Sequence, residues 1–223
     1  TEDFNLDFFY TINQEKKSVV GIQKSTFNFN EFDWIINPSD NKESKVVFDL
    51  KTNQFKFNPF TLISDEQKIE FKGDLADNYK NLQASFTEVK LKSFLPKIDS
   101  LDLKGKLNGI IDFTQNNSTY KPEGNLVVED FYINNYLQGD LAMQVKGKNS
   151  YEKYDVNLSL KNKSAKNISA TGELDFSKKK PEMDLDVYLK DYDIAAFSPL
   201  GEEVLSKLRG QVSGNFTAKG ILG

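Results

Sequence analysis

The chain has 223 residues, 38 % hydrophobic and 28 % charged, with a net charge of −4, no cysteine and no histidine. That rules out a disulfide framework, a thiolate metal site and imidazole chemistry. The mixed charge gives no support to nucleic acid as a partner. No apolar run approaches the ~20 residues of a membrane-spanning helix, and no signal peptide opens the chain. The chain starts on Thr1 without Met and stops at Gly223 inside a strand pattern, so we expect a piece of a longer protein.

Phe (18) and Tyr (9) supply much of the apolar content, and both favour strands. Phe4, Leu6, Phe8, Tyr10 and Ile12 alternate with polar residues and predict a first strand. Further strands are predicted over 19–24 and 25–32, and over Asp33–Ile36. Asn37-Pro38-Ser39-Asp40-Asn41 is a turn signal. Alternation resumes at Val46, Phe48 and Leu50, then at Phe55 and Phe57, and at Phe60 and Leu62 beyond Pro59. It continues at Ile69, Phe71, Gly73 and Leu75, and at Leu82, Ala84 and Phe86. Ser93 to Lys97 interrupts as a turn or a single helical turn.

Leu101 to Phe113 is the clearest strand. Leu101, Leu103, Gly105, Leu107, Gly109, Ile111 and Phe113 take one face, and only Ile110 breaks the polar face. Glycine on the apolar face lets a sheet bend or another group approach closely. Gly124, Leu126 and Val128 follow. Leu137, Gly139, Leu141, Met143, Val145 and Gly147 repeat the glycine-studded pattern, as do Ile168, Ala170, Gly172, Leu174 and Phe176. Val156, Leu158 and Leu160 lie between these two. Lys178-Lys179-Lys180-Pro181 reads as a solvated turn, followed by a strand through Met183, Leu185, Val187 and Leu189. Ile194 to Leu208 has apolar residues at threes and fours and predicts one short helix, with Pro199 suited to its first turn. Alternation then returns through Gly210, Val212, Gly214, Phe216 and Ala218.

Two blocks match. Leu103-Lys-Gly-Lys-Leu-Asn-Gly-Ile-Ile111 aligns with Leu208-Arg-Gly-Gln-Val-Ser-Gly-Asn-Phe216, 105 residues later. An aromatic with a proline two residues on precedes each: Phe94 and Pro96, Phe197 and Pro199. Ile69 to Leu75 likewise parallels Ile168 to Leu174. A fixed period marks a repeat architecture, so we expect one continuous repeat-built domain over 1–223, with approximate repeats at 69–113 and 168–220.

No motif for catalysis stands out. Asp184 with Asp186 and Asp191 with Asp193 share a polar strand face without a third ligand, and read as solvated surface. No G-x-S-x-G or P-loop occurs, and no cofactor is expected. The sequons at Asn117 and Asn215 read as chance matches in an Asn-rich chain. A dozen or more strands with one apolar face each, and no helical layer to cover them, must close into a barrel, form a sandwich or curl into a trough. The inward residues are Leu101, Leu103, Leu107, Ile111, Phe113, Leu126, Val128, Leu141, Met143, Val145, Leu158, Leu174, Phe176, Leu185, Val187, Leu189, Val212 and Phe216. They make either a dry core or a lining for acyl chains.

The F-x-P element followed by L-x-G-x-[LV]-x-G, clearest over Ala196–Gly201 and Leu208–Gly220, resembles the TamB branch of the AsmA-like envelope proteins. The strand pattern extends the resemblance loosely over 45–223; residues 1–44 add little. The resemblance implies an all-β fold: a long, curved, antiparallel β-taco with an apolar inner groove. It implies non-enzymatic phospholipid conduction between inner and outer membranes, with acyl chains as ligand. It also implies a periplasmic site, an inner-membrane anchor outside this stretch, and a TamA-like outer-membrane partner. Two other readings stay open: a structural or adhesive β-repeat with a closed core, and an assembly factor pairing its edge with client β-strands.

Overall fold

The chain order of polar and apolar residues builds sixteen strands among the described residues of the computed structural model, which are 3–95, 102–162, 165–201 and 209–221. They are β1 (Phe4–Asn5), β2 (Phe8–Ile12), β3 (Ser18–Ile22), β4 (Ser25–Phe29), β5 (Phe32–Ile36), β6 (Lys45–Asp49), β7 (Gln54–Ser64) and β8 (Gln67–Ala76). Then come β9 (Tyr79–Lys90), β10 (Leu103–Asn116), β11 (Thr119–Ile133), β12 (Tyr136–Gly147), β13 (Lys153–Asn162), β14 (Ala165–Asp175), β15 (Glu182–Asp193) and β16 (Gln211–Ile221). All join one sheet: thirteen lie in the order β1-β4-β5-β7-β8-β9-β10-β11-β12-β13-β14-β15-β16, β2, β3 and β6 branch off at β7, and the pairings are antiparallel. The sheet is curved and does not close into a barrel.

From β7 onward the strands follow chain order, because each polar turn returns the chain beside itself. The first third is forked. The early half of β7 pairs with β6 (Phe57 opposite Val46), and β6 leads on to β3 and β2. The late half pairs with β5 (Leu62 opposite Ile36), leading to β4 and β1. The division falls at Asn58-Pro59, where β7 also bulges against β8. Pro59 has no N–H to give a ladder and suits a break. The predicted first strand is therefore two: Phe4 and Asn5 belong to one branch, Phe8 to Ile12 to the other. Asn37 ties the branches. It is buried, and its side-chain amide donates to the carbonyls of Ile22 (3.0 Å) and Asn41 (2.7 Å), while its backbone N–H reaches Thr61 (2.9 Å).

The predicted helix is a 3-10 turn over Ile194–Gly201, matched by a shorter one at Leu91–Ser93. Residues 202–208, the rest of that prediction, lie outside the described residues, as does Leu101. Over Ile194–Gly201 the 3-10 turn closes the strand end in a few residues.

The predicted alternation fails at Leu50, which lies exposed in the turn beyond β6, and at Leu137. Leu137 is exposed and Gln138 is buried, because β11 and β12 slip register between Val128 and Tyr132. Gly139 carries the slip at φ 105°, with the Lys161 carbonyl oxygen 1.9 Å from where a Cβ would sit. A side chain there meets both strain and backbone.

Candidate apolar groove

Residues opposite each other in a sheet share a face, so the register shows which side chains line up. One ladder runs Leu62, Ile69, Phe86, Gly109, Leu126, Met143, Leu158, Ala170, Val187, Phe216. Beside it runs Phe60, Phe71, Ala84, Ile111, Gly124, Val145, Val156, Gly172, Leu185, Ala218. A third joins Val89, Leu107, Val128, Leu141, Leu160, Ile168 and Leu189. Toward the other strand ends lie Leu82 and Phe113, then Tyr154, Leu174 and Met183. Leu103, Phe176 and Val212 continue the same face by alternation or packing. The described members of the inward set thus share one apolar face.

That face is not uniform. At the end carrying the 3-10 turns it is filled: Trp34, Val89, Leu91, Leu107 and Val128 form a buried cluster, with Val89 fully enclosed. Trp34 on β5 belongs to one buried cluster with residues on β9, β10 and β11, which requires the sheet to curl. Leu126, Leu141 and Met143 are half-buried and pack against that cluster; beyond it Val145, Leu158, Leu174, Leu185, Val187 and Leu189 are half-buried, and Ile111, Phe176, Val212 and Phe216 are exposed, Phe216 at 53 %. Those beyond the cluster are flanked by neighbours in their ladders yet stay incompletely buried, with no second layer among the described residues. The result is a trough, pinched at one end.

Two ties draw the pinched end together, one in each half of the chain. Asn30, in the β4–β5 turn, donates to the Ser93 carbonyl at 3.2 Å; Asn134, in the β11–β12 turn, donates to the Ala196 carbonyl at 2.9 Å. Just before each 3-10 turn, Glu88 (φ 52°) and Asp191 (φ 47°) sit in bulges. The Glu88 N–H donates to Asn108 Oδ1 and the Asp191 N–H to Ser213 Oγ, each at 2.8 Å. Where the first half has Trp34 against Val89, the second has Gln138 and Tyr192, the Tyr192 hydroxyl donating to Gln138 Oε1 at 2.7 Å. The signal for these ties was in the chain: Phe27-x-Phe-Asn30-x-Phe-x-Trp34 runs parallel to Phe131-x-Ile-Asn134-x-Tyr-x-Gln138.

The opposite face is polar. Gln83, Asp112, Glu123, Lys146, Asp155, Glu173, Asp184 and Lys219 form a ladder across it. Lys219 pairs with Asp184 at 2.7 Å, Lys146 with Glu123 at 3.6 Å, and Lys148 bridges Asp155 and Glu173. The Thr217 hydroxyl donates to Asp186 at 2.9 Å. The predicted carboxylate pair is thus held by its neighbour strand. Exposed pairs of this kind add little stability, but they hold the polar face to water. A shallow depression of 410 Å³ opens there, lined by Asn108, Asn125, Gln144, Asn157 and Ser159. No group of three acidic, His or Cys side chains suited to a metal occurs among the described residues, and no helix there is long and apolar enough to cross a membrane.

The fold and face define a class: an open, curved, one-layer antiparallel sheet with an apolar trough. Comparisons with protein-family models, curated proteins and solved structures give no match for this chain.

Proposed function

We propose that the trough is a non-enzymatic lipid conduit, part of a TamB-like envelope protein that conducts phospholipid acyl chains between inner and outer membrane. The observation that carries this reading is the apolar ladder from Leu62 to Phe216, which runs across the sheet and, beyond the buried Trp34 cluster, has no covering layer among the described residues. An open apolar face of this extent attracts an apolar occupant. Each buried CH₂ contributes about 0.8 kcal/mol, so acyl chains are held without any polar motif. Phospholipid would travel along the ladder direction, passing from strand to strand. A periplasmic location, an anchor elsewhere in the protein and a TamA-like partner belong to the same proposal.

The test is native mass spectrometry of the purified chain with lipid extraction. We expect near-stoichiometric lipid on the wild type and its loss on Met143→Asp, a half-buried trough position. A lipid-free mass that persists after incubation with phospholipid vesicles overturns the conduit and leaves a structural β-repeat. The assembly-factor reading has its own support in β16, whose far edge is unpaired among the described residues. It predicts capture of client strands that survives Met143→Asp.

A further inference from the structure

The apolar face carries a single charged residue among the described strands. Lys80 is in phase with Leu82, Ala84 and Phe86 on β9, and its register neighbours are Leu75 and Gln115, both neutral. Every other strand lysine and carboxylate whose side chain is described falls on the polar face or in a bulge. Lys80 is half-buried and makes no ion pair among the described residues. Yet carboxylates outnumber cations in the chain, 33 to 29, and thirteen ion pairs elsewhere among the described residues engage them. A cation on an apolar surface is costly unless it meets an anion or reaches water.

Its position along the strand matters as much as its charge. Lys80 is the second residue of β9, beside the turn at the open end, whereas Val89 on the same strand is enclosed at the pinched end. Between Lys80 and Phe86 the strand offers about 20 Å of apolar face, at about 3.3 Å per residue. One acyl chain occupies about 15 Å of a bilayer leaflet. A lipid lying along β9 with its tail toward the Trp34 cluster therefore sets its head beside the Lys80 ammonium.

We propose that Lys80 is a head-group anchor: it holds the anionic head, carboxylate or phosphate, of an acyl lipid whose chain lies on the apolar face. This rests on the trough being a lipid site, and it adds a polarity to it, head at the open end and tail toward the pinched end.

The experiment compares two probe pairs, each sharing an oleoyl or oleyl chain and used below its critical micelle concentration. One pair is oleate and oleyl alcohol; the other is 1-oleoyl-lysophosphatidic acid and monoolein. Wild type binds the anionic member of a pair about tenfold tighter, the gain of one charge-assisted contact. A preference in the first pair alone identifies a free fatty acid, and in the second alone a phospholipid head. Lys80→Met keeps the stem and removes the charge, so it abolishes the preference while leaving neutral-probe affinity and melting temperature unchanged. Lys80→Glu reverses the preference. A preference that survives Lys80→Met, or neutral probes binding as tightly as anionic ones to wild type, overturns the anchor and leaves the trough standing. Failure of all four probes to bind overturns both.

Discussion

Tyr192 donates its hydroxyl to Gln138 Oε1 at 2.7 Å, and both side chains are buried. They stand on β15 and β12, three strand spacings apart, about 14 Å in a flat sheet. The bond exists because the sheet curls, and it in turn holds the curl. Tyr192→Phe leaves the Gln138 oxygen buried without that donor. We expect a loss of about 1–3 kcal/mol, read as a lower urea midpoint at unchanged slope.

The same tyrosine makes stability depend on alkaline pH. Burial, with a smaller contribution from the Asp193 carboxylate, pushes its phenol up from 10.0 to about 12. The folded state then holds this proton more tightly than the unfolded state. The associated stability is fully present below pH about 10 and is lost as pH rises toward about 12. Denaturation curves across that window should fall more steeply in wild type than in Tyr192→Phe. Burial pushes the Tyr154 phenol up as well, so a tyrosinate absorbance titration should show late ionisation from both tyrosines, and the variant should lose the Tyr192 part of it.

Gly109 and Gly214 occupy matching places in the two glycine-studded strands, at φ 132° and 152°. A Cβ on Gly109 would lie 2.1 Å from the Asn125 carbonyl oxygen and 2.9 Å from the Leu126 Cα, whereas nothing lies within 4 Å of one on Gly214. The difference is β11, which pairs with β10, while the far side of β16 has no partner strand among the described residues. Gly109→Ala should cost about 3 kcal/mol or more, Gly214→Ala about 1–2 kcal/mol for backbone strain alone. Equal losses in thermal unfolding would contradict this geometry.

Leu107 and Met143 separate core from trough. Leu107 is enclosed beside Val89 and Val128, and Met143 is half-buried in the next ladder. Leu107→Asp buries an unpaired charge and should prevent folding or remove several kcal/mol. Met143→Asp should leave the circular dichroism spectrum intact and remove bound lipid. Loss of fold in both variants would make the whole face an ordinary core.

Much of this was legible in the chain because strand faces follow a local rule. Leu126, Met143, Leu158 and Val187 declare their side by alternation alone, and each meets the next across the ladder. The rule breaks where register slips, and slips are pair properties. Leu137 looked inward and Gln138 outward until β11 bulged against β12. Leu107 and Val128 looked like trough lining, yet both are buried in one cluster with Trp34, from a strand more than 50 residues earlier. The helix expected over 194–208 had suitable spacing, but over Ile194–Gly201 the chain closes the strand end as a 3-10 turn.

The sequence by itself determined the all-β class, the polar and apolar faces, and the glycine pattern that recurs between the two halves, since these rest on side-chain chemistry and period. Tertiary structure decided the fork at β7, the pinched end, and the isolation of Lys80 on the apolar face. Those depend on which strands become neighbours and how far the sheet curls. Both are set by contacts between residues far apart in the chain, for which local alternation carries no information.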